Sequence, residues 1–182
     1  MKNPFINDDA YNKEGQIQLV NANPDNIMYL NNPDKEVQLI AVCEDGELIQ
    51  YLYDPDIDVQ LAAVNNNGYA IQYIHNPDKD VQLIAVKNSG YAIQYIHNPD
   101  KDIQLAAVGC YSGAIQYIHN PDKDIQLIAV KNSGYIIQYI HNPDEDVQMT
   151  AIEQNPDSIR FIKDLDETAY EYYQKIIEER YQ

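Results

Sequence analysis

The 182-residue sequence contains no tryptophan, two phenylalanines, two cysteines and seven glycines. So few cysteines exclude a disulfide scaffold, and two unpaired thiols fit a reducing cytosol. Cys43 and Cys110 have no His or Cys nearby at metal-ligand spacing, and each reads as a small apolar filler. Basic residues are scarce, 12 Lys and Arg against 29 Asp and Glu, for a formal net charge of −17. A nucleic-acid binder needs a basic face, and anionic membranes also recruit basic segments, so direct contact with either is not expected. The longest apolar runs have four or five residues, such as LIAV, against the roughly 20 that span a bilayer. The opening MKNPFINDDA lacks the apolar stretch of a signal peptide. A cytoplasmic location, in a bacterium or a host cell, is the expectation.

What is present is repetition. NPDKDVQLIAVKNSGYAIQYIH (76–97) returns as NPDKDIQLIAVKNSGYIIQYIH (120–141). Six copies with a 22-residue period begin at Asn32, Asp54, Asn76, Asn98, Asn120 and Asn142. A degenerate copy with the core QIQLV and NPDNIMYL precedes them. A fixed period of this length is the mark of a repeat architecture. Charge is uneven along it: segments 32–53 and 54–75 carry −4 and −3, whereas 76–97, 98–119 and 120–141 carry 0, −1 and 0. Segment 142–163 carries −3 and 164–182 carries −4, so the acid sits towards the ends.

The punctuation of the unit predicts two helices. Asn76 suits an N-cap and Pro77 the first helical position. Asp78 and Asp80 then meet the positive end of the helix dipole. The helix should run to Val86 or Lys87 and stop at Ser89-Gly90, glycine being the usual residue past a helix end. A shorter helix over 91–96 should follow, halted by the next Asn-Pro. A strand reading of VQLIAV rests on β-propensity alone and conflicts with these caps. At 100° per residue, Val81, Leu83, Ile84, Ala85 and Val86 leave mainly Gln82 and Lys87 on polar directions. Ala92, Ile93, Tyr95 and Ile96 form one arc of the second helix.

Such short amphipathic pairs cannot bury their apolar faces alone; stacking them in register does. The fold class is therefore all-α, an α-solenoid of about seven 22-residue two-helix repeats with a C-terminal capping helix. Residues 1–31 are a degenerate N-terminal capping repeat, 32–163 the six helical-hairpin repeats and 164–182 the cap. In that last helix Ala169, Tyr173, Ile176 and Ile177 should cover the final repeat, while Glu167, Glu171, Glu178 and Glu179 meet water. The pattern D-x-D-V-x-L-x-A-V-x-x-x-G-x-A-I-x-Y, over residues 32–163, resembles a bacterial and viral helical-repeat family known only as a domain of unknown function. More loosely it is similar to HEAT-like repeats. The resemblance implies an α-solenoid fold and a binding role, and transfers no catalytic residue.

Several polar ladders run through the units. His75, His97, His119 and His141 recur one per repeat. Stacked helices lie roughly 8–10 Å apart, too far for neighbouring imidazoles to share a zinc at about 2 Å. Each His at a helix C-terminus favours the last carbonyls, and the row also suits contact with an extended partner. Gln38, Gln60, Gln82, Gln104, Gln126 and Gln148 lie on the first helices and read as partly buried, bonded to loop carbonyls or to one another. Gln50, Gln72, Gln94, Gln116 and Gln138 lie on the second helices, where exposed amides can grip a peptide backbone. Tyr51, Tyr73, Tyr95, Tyr117 and Tyr139 are expected to be mostly core with a wet hydroxyl.

The fifth copy rewrites its turn as Gly109-Cys110-Tyr111-Ser112-Gly113, where sister units read Lys-Asn-Ser-Gly-Tyr. Cys110 and Tyr111 are therefore contact candidates, as is the acidic turn of Glu44, Asp45 and Glu47. Asp54-x-Asp56-x-Asp58 imitates a calcium loop but has Val59 and Asn65 where glycine and glutamate belong; it is a helix start. Asn3-Pro4-Phe5 is too short to weigh. No nucleophile elbow, phosphate loop or isolated carboxylate pair is present, so no enzyme, cofactor or metal is expected. The expected function is a non-enzymatic module binding a partner protein along one face, with self-association also open. The alternative is an acidic inhibitor of phage or mobile-element type that mimics nucleic acid and blocks a host defence nuclease.

Overall fold

A computed structural model describes residues 12–180. MKNPFINDDA, Asn3-Pro4-Phe5 and the last two residues lie outside the described residues. Seven α-helices are each followed by a six-residue 3-10 helix, and an eighth α-helix closes the series. The pairs are α1 (Lys13–Ala22) with Pro24–Tyr29, α2 (Lys35–Glu44) with Gly46–Tyr51, α3 (Ile57–Asn66) with Gly68–Tyr73, and α4 (Lys79–Asn88) with Gly90–Tyr95. They continue as α5 (Lys101–Cys110) with Ser112–Tyr117, α6 (Lys123–Asn132) with Gly134–Tyr139, α7 (Glu145–Gln154) with Pro156–Phe161, and finally α8 (Glu167–Arg180). No strand occurs among the described residues. The chain divides into two compact units, Met1–Ile96 and His97–Gln182, and within each unit the pairs pack on their neighbours in order. This is an α-solenoid of about seven 22-residue repeats with a C-terminal helix.

The start of each α-helix differs from the sequence expectation. Asn76 is not the N-cap, and Pro77 is not the first helical residue. Asp78 is the cap, its carboxylate accepting from the Val81 N–H at 3.0 Å. The first full helical bond runs from the Gln82 N–H to the Asp78 carbonyl. Asp100 and Asp144 cap Ile103 and Val147 in the same way. Asn76 instead takes the left-handed conformation at φ 50°, as do Asn32, Asp54, Asn98, Asn120 and Asn142 at 45–51°. The chain must reverse between one repeat and the next. Asn and Asp are the non-glycine residues that enter this region most readily. Asn at the head of the unit thus encodes the turn, and the aspartate two residues later encodes the helix.

The second helix is also not the one expected, being a 3-10 helix of six residues, two full turns. Its period is three, so side chains three apart eclipse. Gly90, Ile93 and Ile96 fall in one buried row, while Gln94 and His97 share an exposed one. Tyr95 eclipses the buried Ala92 but lies at the last position of the 3-10 helix, and its ring is 38% exposed. The core of a repeat is thus Val81, Ala85 and Val86 from α4, with Ala92, Ile93 and Ile96 below it, all buried. At about 1.5–3 kcal/mol for each fully buried Val or Ile, the stacked faces supply most of the driving force.

The turn glycine does a different job from the one assigned to it. No glycine has a positive φ. A Cβ on Gly68 would instead stand 2.5 Å from the carbonyl oxygen of Ala85 in the next repeat, and on Gly46 it would stand 2.3 Å from that of Ala63. Glycine here permits close approach between repeats. The contact is then clamped by an amide. Asn66 accepts from the Gly46 N–H and donates to the Cys43 carbonyl, both at 2.8 Å. Asn88 does the same for Gly68 and the Asn65 carbonyl, at 3.3 and 2.8 Å. In the second unit Gln154 accepts from the Gly134 N–H at 2.6 Å.

In α8, Ala169 is buried, Tyr173, Ile176 and Ile177 are half-buried, and Glu167, Glu171, Glu178 and Glu179 are exposed, as the pattern implied. Gln148 ties α7 to the entry of this helix, donating to the Asp164 carbonyl and accepting from the Asp166 N–H.

Two glycine substitutions separate close approach from ordinary helix propensity. Gly68→Ala is expected to cost about 1–3 kcal/mol, the range for an overpacked contact. Gly109→Ala, inside α5 with nothing within 4 Å of its Cβ position, should instead gain up to about 1 kcal/mol. Urea midpoints of the two variants check the opposite signs.

Candidate functional face and its grooves

The 3-10 helices place their exposed rows on one side of each repeat. Tyr51, Tyr73, Tyr95, Tyr117 and Tyr139 are 37–44% exposed, so they are not core residues with wet hydroxyls. Gln50, Gln72, Gln94, Gln116 and Gln138 are exposed beside them. Each donates Nε2 to the carbonyl three residues earlier, at 3.0–3.1 Å. The eclipsed 3-10 geometry makes this short return possible, and it fixes the amide while leaving Oε1 without a partner among the described residues. His75, His97, His119 and His141 sit one residue past the 3-10 caps Ile74, Ile96, Ile118 and Ile140. They are exposed and make no hydrogen bond or ion pair among the described residues.

The other glutamine ladder is structural. Gln38, Gln60, Gln82, Gln104, Gln126 and Gln148 each donate Nε2 to the proline carbonyl five residues earlier, at 2.7–2.9 Å. The partner is therefore a loop carbonyl, not another glutamine. Each amide closes the loop that enters its own helix.

Grooves open beside the exposed rows at equivalent places. One of about 640 Å³ lies between the fifth and sixth repeats and is lined by Gln116, Tyr117, His119, Gln126, Tyr139 and His141, together with Ile115, Ile118 and Ile140. One of about 340 Å³ lies against Asn31, Tyr51 and Tyr53 in the first unit. A third of about 170 Å³ lies against Gln138, His141 and Phe161. The sequence reading missed the grooves and the exposure of the tyrosines. The signal for the 3-10 helix that carries both was the Gly-x-x-Ile-x-x-Ile spacing, which has a period of three rather than 3.6.

The remaining candidates separate. Asp45 accepts from the Glu47 N–H, and Glu47 accepts from Asn67, so both hold their turn; Glu44 is exposed. Tyr111 is exposed. Cys43 and Cys110 are exposed and form no disulfide, which corrects their reading as apolar filler. Both lie in the last turn of an α-helix.

Carboxylates at the helix starts meet lysines from the preceding repeat. Lys35 lies 3.5 Å from Asp56 and bonds Asp58; Lys101 lies 3.5 Å from Asp122 and 2.8 Å from Asp124; Lys123 lies 3.0 Å from Asp144 and bonds Asp146. The Asp54-x-Asp56-x-Asp58 run is thus part of an ion-pair ladder. No cluster of three His, Cys, Asp or Glu side chains able to hold a metal occurs among the described residues. No helix among them is long and apolar enough to cross a membrane.

The stacked pairs and their repeated polar face define a helical-repeat protein of the α-solenoid class. The chain belongs to the DUF4116 family, described as a domain of unknown function, whose model matches residues 34–77, 56–99, 100–143 and 122–165. Each match spans two of the 22-residue repeats. No curated protein and no solved structure matches the chain.

The two glutamine ladders should respond differently to truncation. Gln60→Ala leaves the half-buried Pro55 carbonyl unpaired and is expected to cost about 1–3 kcal/mol. Gln72→Ala should stay within about 0.5 kcal/mol, as for other surface changes; thermal unfolding of both variants checks this. The hydrogen bond and charge of Lys101 hold Asp124 below its ordinary value. Such a contact favours folding above the ordinary carboxylate range and is lost as pH falls through the folded-state value. Lys101→Met should return Asp124 to the ordinary range, read by carboxyl-carbon NMR titration.

Proposed function

We propose that the protein is a non-enzymatic interaction module that binds a partner protein along the 3-10 face. The observation that carries this reading is the row of Tyr51, Tyr73, Tyr95, Tyr117 and Tyr139, kept 37–44% exposed in successive repeats. Tyrosine is a favoured residue at the centre of interfaces because it adds large contact area at small entropic cost. Beside it, Gln72, Gln94, Gln116 and Gln138 present fixed amides, and His75, His97, His119 and His141 present free imidazole nitrogens. This spacing suits an extended segment, with one amide and one imidazole offered per repeat.

A second reading is an acidic, nucleic-acid-mimicking inhibitor of a host defence nuclease, with a phage or mobile-element origin and a cytosolic setting. The net charge of −17 favours it. The lysine ladder opposes it, because carboxylates paired to Lys35, Lys101 and Lys123 do not form a bare anionic stripe. The looser likeness to HEAT-type repeats is in keeping with an interaction role, although the second helix of each pair here is 3-10.

Affinity capture with the intact chain, followed by competition, tests the choice. The face reading expects Gln94→Ala, Gln116→Ala and His119→Ala to weaken the captured complex at least tenfold without changing the unfolding temperature, and excess DNA to have no effect. A complex displaced by DNA, falling steeply with salt and indifferent to the three substitutions, would sink it in favour of mimicry.

A further inference from the structure

The grooves beside the tyrosine row are one feature written several times. Moved on by four repeats, every residue lining the first-unit groove falls on one that lines the groove between the fifth and sixth repeats. An aromatic ring and a proline stand at equivalent places in all three grooves: Tyr51 with Pro33, Tyr139 with Pro121, and Phe161 with Pro143. In the second unit two of the grooves are consecutive and meet at Ile140 and His141, which line both. Together they form a trough that crosses successive repeats, and the rings of Tyr117, Tyr139 and Phe161 along it are 39–44% exposed.

A ligand that meets every groove in turn must share the period of the stack, and stacked helices lie roughly 8–10 Å apart. A polyproline II helix has three residues per turn and advances about 9.3 Å in that turn. Side chains three apart on it share a face, one for each groove. A β-strand returns to the same face after about 6.6 Å, which fits neither one repeat nor two residues per groove. Two turns of α-helix span about 10.8 Å, and the carbonyls of that helix are already bonded. The trough instead offers donors that need carbonyls. Gln116 spends one amide hydrogen on the Gly113 carbonyl, at 3.0 Å, and keeps the other. His119 and His141 each hold an imidazole N–H without a partner among the described residues. Polyproline II has no internal hydrogen bonds, so all its carbonyls are open to such donors.

We propose that the trough of the second unit binds an uncharged, proline-rich segment of the partner protein in the polyproline II conformation, with one proline per repeat seated against the exposed ring. This inference rests on the partner-binding reading above and names the conformation and composition of the bound segment. The groove between the fifth and sixth repeats is lined by no Asp, Glu, Lys or Arg, so uncharged residues are favoured between the prolines. Aromatic-lined grooves suit such segments because the ligand is already fixed in its bound shape and loses little entropy on docking.

The test uses the full chain with isoleucine methyls labelled and the blocked nonapeptide acetyl-Pro-Ala-Ser-Pro-Ala-Ser-Pro-Ala-Ser-amide. Saturable NMR shifts are expected at Ile118, Ile140 and Ile162. A peptide of the same composition with its prolines moved off the three-residue spacing should bind at least threefold more weakly, and one with glycine in place of proline at least tenfold. Tyr139→Ala should weaken the nonapeptide at least fivefold at unchanged helicity. His141→Ala, at an exposed position that lines both grooves, should weaken it at least threefold and gives the answer even if the first variant folds poorly. Absence of saturable shifts, equal binding of the respaced peptide, or indifference to His141→Ala would overturn the proposal. A captured partner complex that is lost in Gln116→Ala but not displaced by excess nonapeptide refutes the polyproline segment while leaving the face reading intact. Nonapeptide binding in the trough beside a partner complex untouched by every face variant does the reverse.

Discussion

Everything in this architecture depends on how closely one repeat can lie against the next. At the tightest point a turn glycine faces an alanine carbonyl so nearly that a methyl group would sit 2.3–2.5 Å from it. That spacing lets Val81, Ala85 and Val86 of one helix close on their neighbours with no exposure at all. A ten-residue α-helix is marginal on its own, and a six-residue 3-10 helix more so. Neither persists without the faces above and below it. The amide clamp from Asn66 or Asn88 then satisfies the turn glycine's N–H, which the close approach partly buries, and bonds a carbonyl at the end of the preceding α-helix.

The division of labour inside the unit follows from the two helical periods. At 3.6 residues per turn, α4 turns Val81, Ala85 and Val86 inward, and its glutamine reaches back to seal the entering loop. At three per turn, the following segment sends Ile93 and Ile96 inward and lifts Gln94 and His97 out, with Tyr95 exposed at its last position. The α-helices therefore build the stack, and the 3-10 helices carry what is displayed. Many of the charges gather at a third place, the helix starts, where lysines from the preceding repeat meet carboxylates. The displayed tyrosine, glutamine and histidine rows carry no carboxylate, lysine or arginine of their own.

The repeat, the all-helical class, the seven pairs and the closing helix were legible because they rest on periodicity and apolar spacing, which survive any local error. What was misread was local. Asn76 satisfies the statistics of an N-cap and of a left-handed turn equally, and only the chain reversal between repeats decides. Gly90 fits a helix C-terminus, yet its sisters are selected by a neighbour 17 residues away, Ala63 for Gly46 and Ala85 for Gly68, which no local rule contains. Tyr95 joins the apolar arc at 100° per residue and eclipses the buried Ala92 at 120°, so neither period reveals its 38% exposure. The exposure of the tyrosine row is set by its place at the end of each 3-10 helix, which an apolar pattern does not report. Cys43 and Cys110 were misplaced because small apolar residues default to the interior, whereas both fall in the exposed last turn of an α-helix.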